Sequence, residues 1–86
     1  MILNKNFLVH KTGSDTIIVP TADAGFSGVV KGNTTLGVIL DYLKEDTTVE
    51  KIVDSMVDNY DAPRELIEKD VNETITGLRK IGAIDE

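Results

Sequence analysis

From Asn33 to Gly82 the chain carries three helix signatures in succession, and they leave almost no residues for any other element. Asn33 is a favoured N-cap, its side-chain oxygen suited to accept from a free amide of the first turn, and Leu36, Ile39, Leu40 and Leu43 form an apolar stripe behind it. This predicts a helix over 34–44. Thr47-Thr48-Val49-Glu50 matches a capping box, and Val49, Ile52, Val53, Met56, Val57 and Tyr60 then alternate at three- and one-residue spacing. That spacing buries one face of a helix over 48–59 and leaves Lys51, Asp54, Ser55 and Asp58 in water. Pro63 suits the first turn of a third helix over 63–81. Glu65 and Glu68 favour its positive end, Arg79 and Lys80 its negative end, and Gly82 ends it as a left-handed cap.

The first thirty residues have a different pattern. Asn6–Lys11 and Thr16–Pro20 hold the β-formers Phe7, Val9, Ile17, Ile18 and Val19 on either side of Thr12-Gly13-Ser14-Asp15, which reads as a hairpin. After a polar link at Thr21–Ala24, Phe26–Lys31 reads as a third strand, weakened by Gly28 and with its backbone left bare there. The expected fold class is α+β: an N-terminal three-stranded antiparallel sheet packed on three helices, in one domain spanning 1–86.

Size and charge narrow the function. A chain of 86 residues buries only about 60% of its unfolded surface, which leaves no room for a deep enzyme cleft. Its net charge of −6 repels polyphosphate, so nucleic acid is not an expected partner. The absence of cysteine excludes disulfides and thiolate metal sites. No stretch approaches the ~20 apolar residues of a membrane span and no signal peptide is evident, so neither a membrane nor an exported setting is expected, and the cytoplasm is the default.

Catalytic templates fail one by one. His10 is the only histidine, on a presumed strand with no nucleophile beside it in sequence. Gly25, Gly28 and Gly32 lack phosphate-loop spacing and its Lys-Ser/Thr ending. Asp54, Asp58 and Asp61 sit at helical spacing rather than the alternating spacing of a calcium loop. No catalytic residue, cofactor or metal is expected. Asp54-Ser55-Met56 looks like the signature of acyl and peptidyl carrier proteins, whose modified serine starts a helix, but here Ser55 falls in mid-helix. The third helix is more informative. On a helical wheel Ile67, Val71, Thr74, Ile75 and Leu78 make its core side, while Leu66, Asp70, Gly77 and Ile81 form a mixed flank. By periodicity alone Leu66 and Ile81 simply widen the core stripe; a peptide groove is the alternative, since it combines apolar positions with a few polar ones.

Asn33-Thr34-Thr35, Ile39, Leu43, Thr48-Val-Glu-Lys-Ile52-Val-Asp54, Tyr60-Asp61, Asp70-Val71, Leu78 and Gly82 together resemble the PqqD family over about residues 26–84. The resemblance rests on ordered spacing rather than on one motif. It implies a winged-helix-like RiPP recognition element, which binds the leader segment of a ribosomally made precursor peptide and presents it to a modifying enzyme such as a radical S-adenosylmethionine protein. In that family the leader adds as a strand beside the third strand and rests on the third helix. Carried onto this chain, the implied peptide site is Phe26, Ser27, Gly28, Val29 and Val30 with Leu66, Asp70, Thr74, Gly77 and Ile81. Leu40, Gly32 and Thr74 depart from the usual Trp, Leu and Phe, which alters the leader expected, and pyrroloquinoline quinone itself is not implied as the product. A winged-helix DNA-binding regulator would share the architecture, but Glu65, Glu68, Asp70 and Glu73 on helix three are a poor complement to phosphates.

Overall fold

A computed structural model describes residues 1–86. In chain order its elements are β1 (Ile2–Leu3), β2 (Phe7–Thr12), β3 (Asp15–Pro20), β4 (Val30–Gly32), α1 (Thr34–Tyr42), α2 (Val49–Asn59), α3 (Arg64–Lys80) and β5 (Ile84–Asp85). The main sheet is antiparallel in the order β2-β3-β4, and β1 and β5 pair as a separate antiparallel ribbon. The α+β expectation of a three-stranded sheet on three helices therefore holds. The terminal ribbon was not anticipated, because two-residue strands show no periodicity and Ile2 meets Asp85 from the far end of the chain.

The β2–β3 hairpin closes through Gly13-Ser14, with Thr12 opposite Asp15. Gly13 has φ +57° while Ser14 stays at negative φ, as a type II′ turn requires. β4 is shorter than the expected Phe26–Lys31 strand. It pairs only from Ile18↔Val30 to Thr16↔Gly32. The next positions toward the link bring in Pro20, which has no amide to give a ladder, and Gly28 at φ +112°, where the chain leaves the extended path.

Helix starts follow the side-chain chemistry, with two corrections. Asn33 caps α1, its side-chain oxygen accepting from Leu36 N at 3.1 Å. Thr48 rather than Thr47 caps α2, its hydroxyl accepting from Lys51 N at 3.1 Å. Thr47 is drawn off because its amide donates to the Met1 carbonyl at 2.9 Å. Pro63 is the extended residue just before α3 rather than its first turn, and its carbonyl accepts from Leu66 and Ile67. Gly82 takes φ +77° after α3, as expected. α1 ends at Tyr42, two residues short of the predicted Lys44.

The core lies between the inner face of the sheet and the three helices. Phe7 and Ile18 share the core with Ile39 and Leu40 of α1, Leu43 just past its end, Ile52 and Val53 of α2, and Val71 and Ile75 of α3. Where β3 meets α1 the fit is tight. A Cβ on Gly37 would lie 2.7 Å from Thr16 Oγ1, and buried Thr16 donates that hydroxyl to the Asn33 carbonyl at 3.0 Å. Above the joint Lys11 Nζ pairs with Asp41 at 2.5 Å. The hydrogen bond from Lys11, helped by one from Lys44, holds the Asp41 carboxyl below its ordinary value. No helix is long and apolar enough to cross a membrane.

Candidate functional site

β4 is an edge strand: β3 pairs with one side of it and no strand pairs with the other. The run before it is barer still. No backbone–backbone hydrogen bond in a turn, loop or cap involves residues 25–29, which also belong to no strand or helix. Unpaired amides and carbonyls along the free edge of β4 are the groups a further strand would need.

Beside the free edge of β4 lies a hollow of about 340 Å³, lined by Val30, Leu36, Glu73, Thr74, Gly77, Leu78 and Ile81. A second hollow of about 160 Å³ shares Leu36, Glu73 and Thr74 with it and adds Asn33, Thr35 and Asp70. The two share three residues and make one groove along α3, bordered by β4 at one end and by the start of α1 at the other. Gly77 makes the apolar end possible: it is exposed in the last turn of α3, and a Cβ built there meets nothing within 4 Å. Gly32 works differently. A Cβ there would collide with the Leu36 side chain, so the absence of a side chain at 32 lets Leu36 fold back over the strand. Among the ion pairs on α3, Arg64 holds Asp54 at 2.6 Å and Glu68 at 3.0 Å, and Arg79 holds Glu86 at 2.6 Å.

The ten residues expected at a peptide site do not form one surface. Val30, Thr74, Gly77 and Ile81 line the first hollow together, and Asp70 lines the adjoining one. Phe26, Ser27, Gly28 and Val29 instead wall a separate open hollow of about 540 Å³, facing Val19–Ala22 at the end of β3. Leu66 lines none of these and is 51% exposed. Ile81 answers to both sequence readings, since it packs against the core and also lines the groove. Sequence reasoning missed Leu36, assigned to the core stripe of α1, and Glu73, read only as charge. Glu73 was accessible from the wheel, because it stands one turn from both Asp70 and Gly77 on α3.

Other candidate chemistry is dispersed. Ser55 lies in the middle of α2 and donates its hydroxyl to Tyr42 Oη at 2.9 Å, unlike a carrier serine at a helix start. Asp54 is held by Arg64. No three side chains of the metal-ligating types converge anywhere in the chain.

The fold has solved counterparts. TbiB1 in complex with the TbiA(beta) leader peptide superposes with a TM-score of 0.76 at 16% identity, over 93% of this chain and 90% of that one. Lasso peptide synthetase B1 complexed with the leader peptide gives 0.74 at 17% identity, over 94% of this chain and 92% of that one. At such identities the likeness is one of fold. No curated protein matches the chain. The family model described as coenzyme PQQ synthesis protein D (PqqD) matches residues 16–84, a span that takes in β3, β4 and all three helices and begins ten residues before the resemblance read from the sequence. The chain thus belongs to the PqqD family.

Proposed function

We propose that this protein is a non-catalytic peptide-binding module: it takes up the leader segment of a ribosomally made precursor as an added strand on β4 and presents that precursor to a modifying enzyme. The observation that carries the reading is the pairing of a free strand edge with a groove on the neighbouring helix. Backbone hydrogen bonds to Val30–Gly32 align the added strand with little regard to sequence, and the hollow over Gly77, Thr74 and Ile81 takes its alternate side chains and holds them. Residues 26–29 are free of backbone partners but leave the extended path at Gly28, so they border the added strand rather than lengthen its ladder. The solved proteins of the same fold are held with leader peptides, which supports the same occupant here.

Amide chemical shifts followed during titration with a leader peptide test the assignment. The largest changes are expected at 26–32 and at Asp70, Thr74, Gly77 and Ile81. Changes concentrated instead on the outer face of α2, around Lys51, Ser55 and Asp58, would place the peptide elsewhere.

A further inference from the structure

We infer that the groove selects peptides that direct an apolar side chain and, two residues away, a lysine or arginine toward α3; the inference rests on the peptide-binding reading above. The groove is chemically two-ended. Val30, Leu78 and Ile81 surround bare Gly77 at one end, and Asp70 and Glu73 line the other. Neither carboxylate has an ion-pair partner, although Arg64 and Arg79 of the same helix are both engaged. The remaining cations of α3, Lys69 and Lys80, line neither hollow.

The spacing follows from how the two elements lie. Passing from Val30 to Asn33 along the chain, the groove passes from Ile81 to Asp70 on α3, so strand and helix run side by side in opposite senses. A peptide paired to β4 therefore lies along α3. Its side chains on one face recur about every 6.6–6.8 Å. On the helix, Glu73 stands about 6 Å from Gly77 along the axis, and Asp70 about 10.5 Å. If an apolar residue sits over Gly77, the residue two positions away faces Glu73, and a long cationic side chain there reaches between Glu73 and Asp70. The carboxylates alone would be only an acidic patch; the free edge and the apolar hollow fix where the peptide runs, and the charge then fixes which peptide. The chain's net charge of −6 adds a general attraction of the same sign.

A displayed library of random ten-residue peptides, selected on the full chain, tests this. Enrichment of Lys or Arg two positions from Leu, Ile or Phe is expected. In a synthetic copy of a selected peptide, Lys→Gln should weaken binding about two- to fivefold, and the Asp70→Asn/Glu73→Gln double variant should bind the Lys and Gln peptides alike. Selected peptides that are excluded by Gly77→Leu yet indifferent to charge would overturn the selectivity and leave the peptide-binding reading standing. Peptides that bind Gly77→Leu as well as the parent, or no enrichment at all, would overturn that reading and the selectivity with it.

Discussion

Replacing Gly77 by leucine separates fold from function at a single position. In most helices such a change gains only what the glycine had lost in backbone freedom, about 0.8–1.0 kcal/mol relative to alanine, and leucine stands close to alanine in rank. The surroundings of Gly77 take nothing back, because its Cβ would meet no atom within 4 Å. A net gain of about 0.5–0.8 kcal/mol follows, which for a domain of this size raises the melting temperature by about 2–6 °C. The same side chain enters the hollow of about 340 Å³ between α3, Val30 and Leu36. A ligand side chain evicted from that hollow forfeits about 1.5–3 kcal/mol of burial, so affinity should fall at least tenfold. Thermal melting followed by calorimetric titration with a peptide that binds the parent reads both quantities on one sample. A variant that melts higher and binds unchanged would show that the groove is not the binding surface. One that melts lower would show that Gly77 faces packed structure. Phe26→Ala is a poorer probe, since Phe26 packs against the core and its loss confounds binding with stability.

Two further outcomes follow from the β3–α1 joint. Gly37→Val should lower stability by about 1–3 kcal/mol, because the added Cβ falls 2.7 Å from a Thr16 hydroxyl already tied to Asn33; an unchanged denaturant midpoint would show that β3 yields there. Asp41→Asn should cost a few tenths of a kcal/mol at pH 7, modest because the pair is partly exposed. The Asp41 carboxyl is held low in the fold by Lys11 and Lys44, so its contribution is complete above the ordinary aspartate value near 3.9 and is lost as pH falls through the lower folded value. Urea melts of parent and variant should therefore differ at pH 7 and converge near pH 2, and a gap independent of pH would exclude the carboxylate as its cause.

The helical half of the fold was legible because each helix start is marked by a residue whose own chemistry requires it. Asn33 and Thr48 accept from amides that the first turn leaves unpaired, and Gly82 adopts a conformation closed to most residues. One slip, Thr47 for Thr48, arose because two adjacent threonines are equivalent in sequence and the choice was made by a bond from Thr47 to Met1. The β1–β5 ribbon could not be read, since its pairing is a consequence of the finished fold bringing residue 2 to residue 85. The site was half legible. Gly77 and Asp70 stand out on a wheel, but Leu36 reads as core until Gly32 is seen beneath it, and Leu66 reads as groove until it is seen to line none.

The shortness of β4, whose length the sequence pattern overstated twofold, bears directly on how such a site can exist in an unbound protein. A long free edge invites pairing with any extended chain, including other copies of the same one. Here the edge is kept to Val30–Gly32 by Pro20 and Gly28 at one end and by the start of α1 at the other. Lys31 adds a charge on the strand itself, held by Asp15 at 3.5 Å. Three residues of ladder are too few to retain a partner by backbone pairing alone, given how marginal an isolated two-stranded pairing is in water. Retention must then come from side chains that reach α3. On the proposed reading, the groove of Gly77, Thr74 and Ile81 thereby decides which peptide stays, while the strand only decides how it lies.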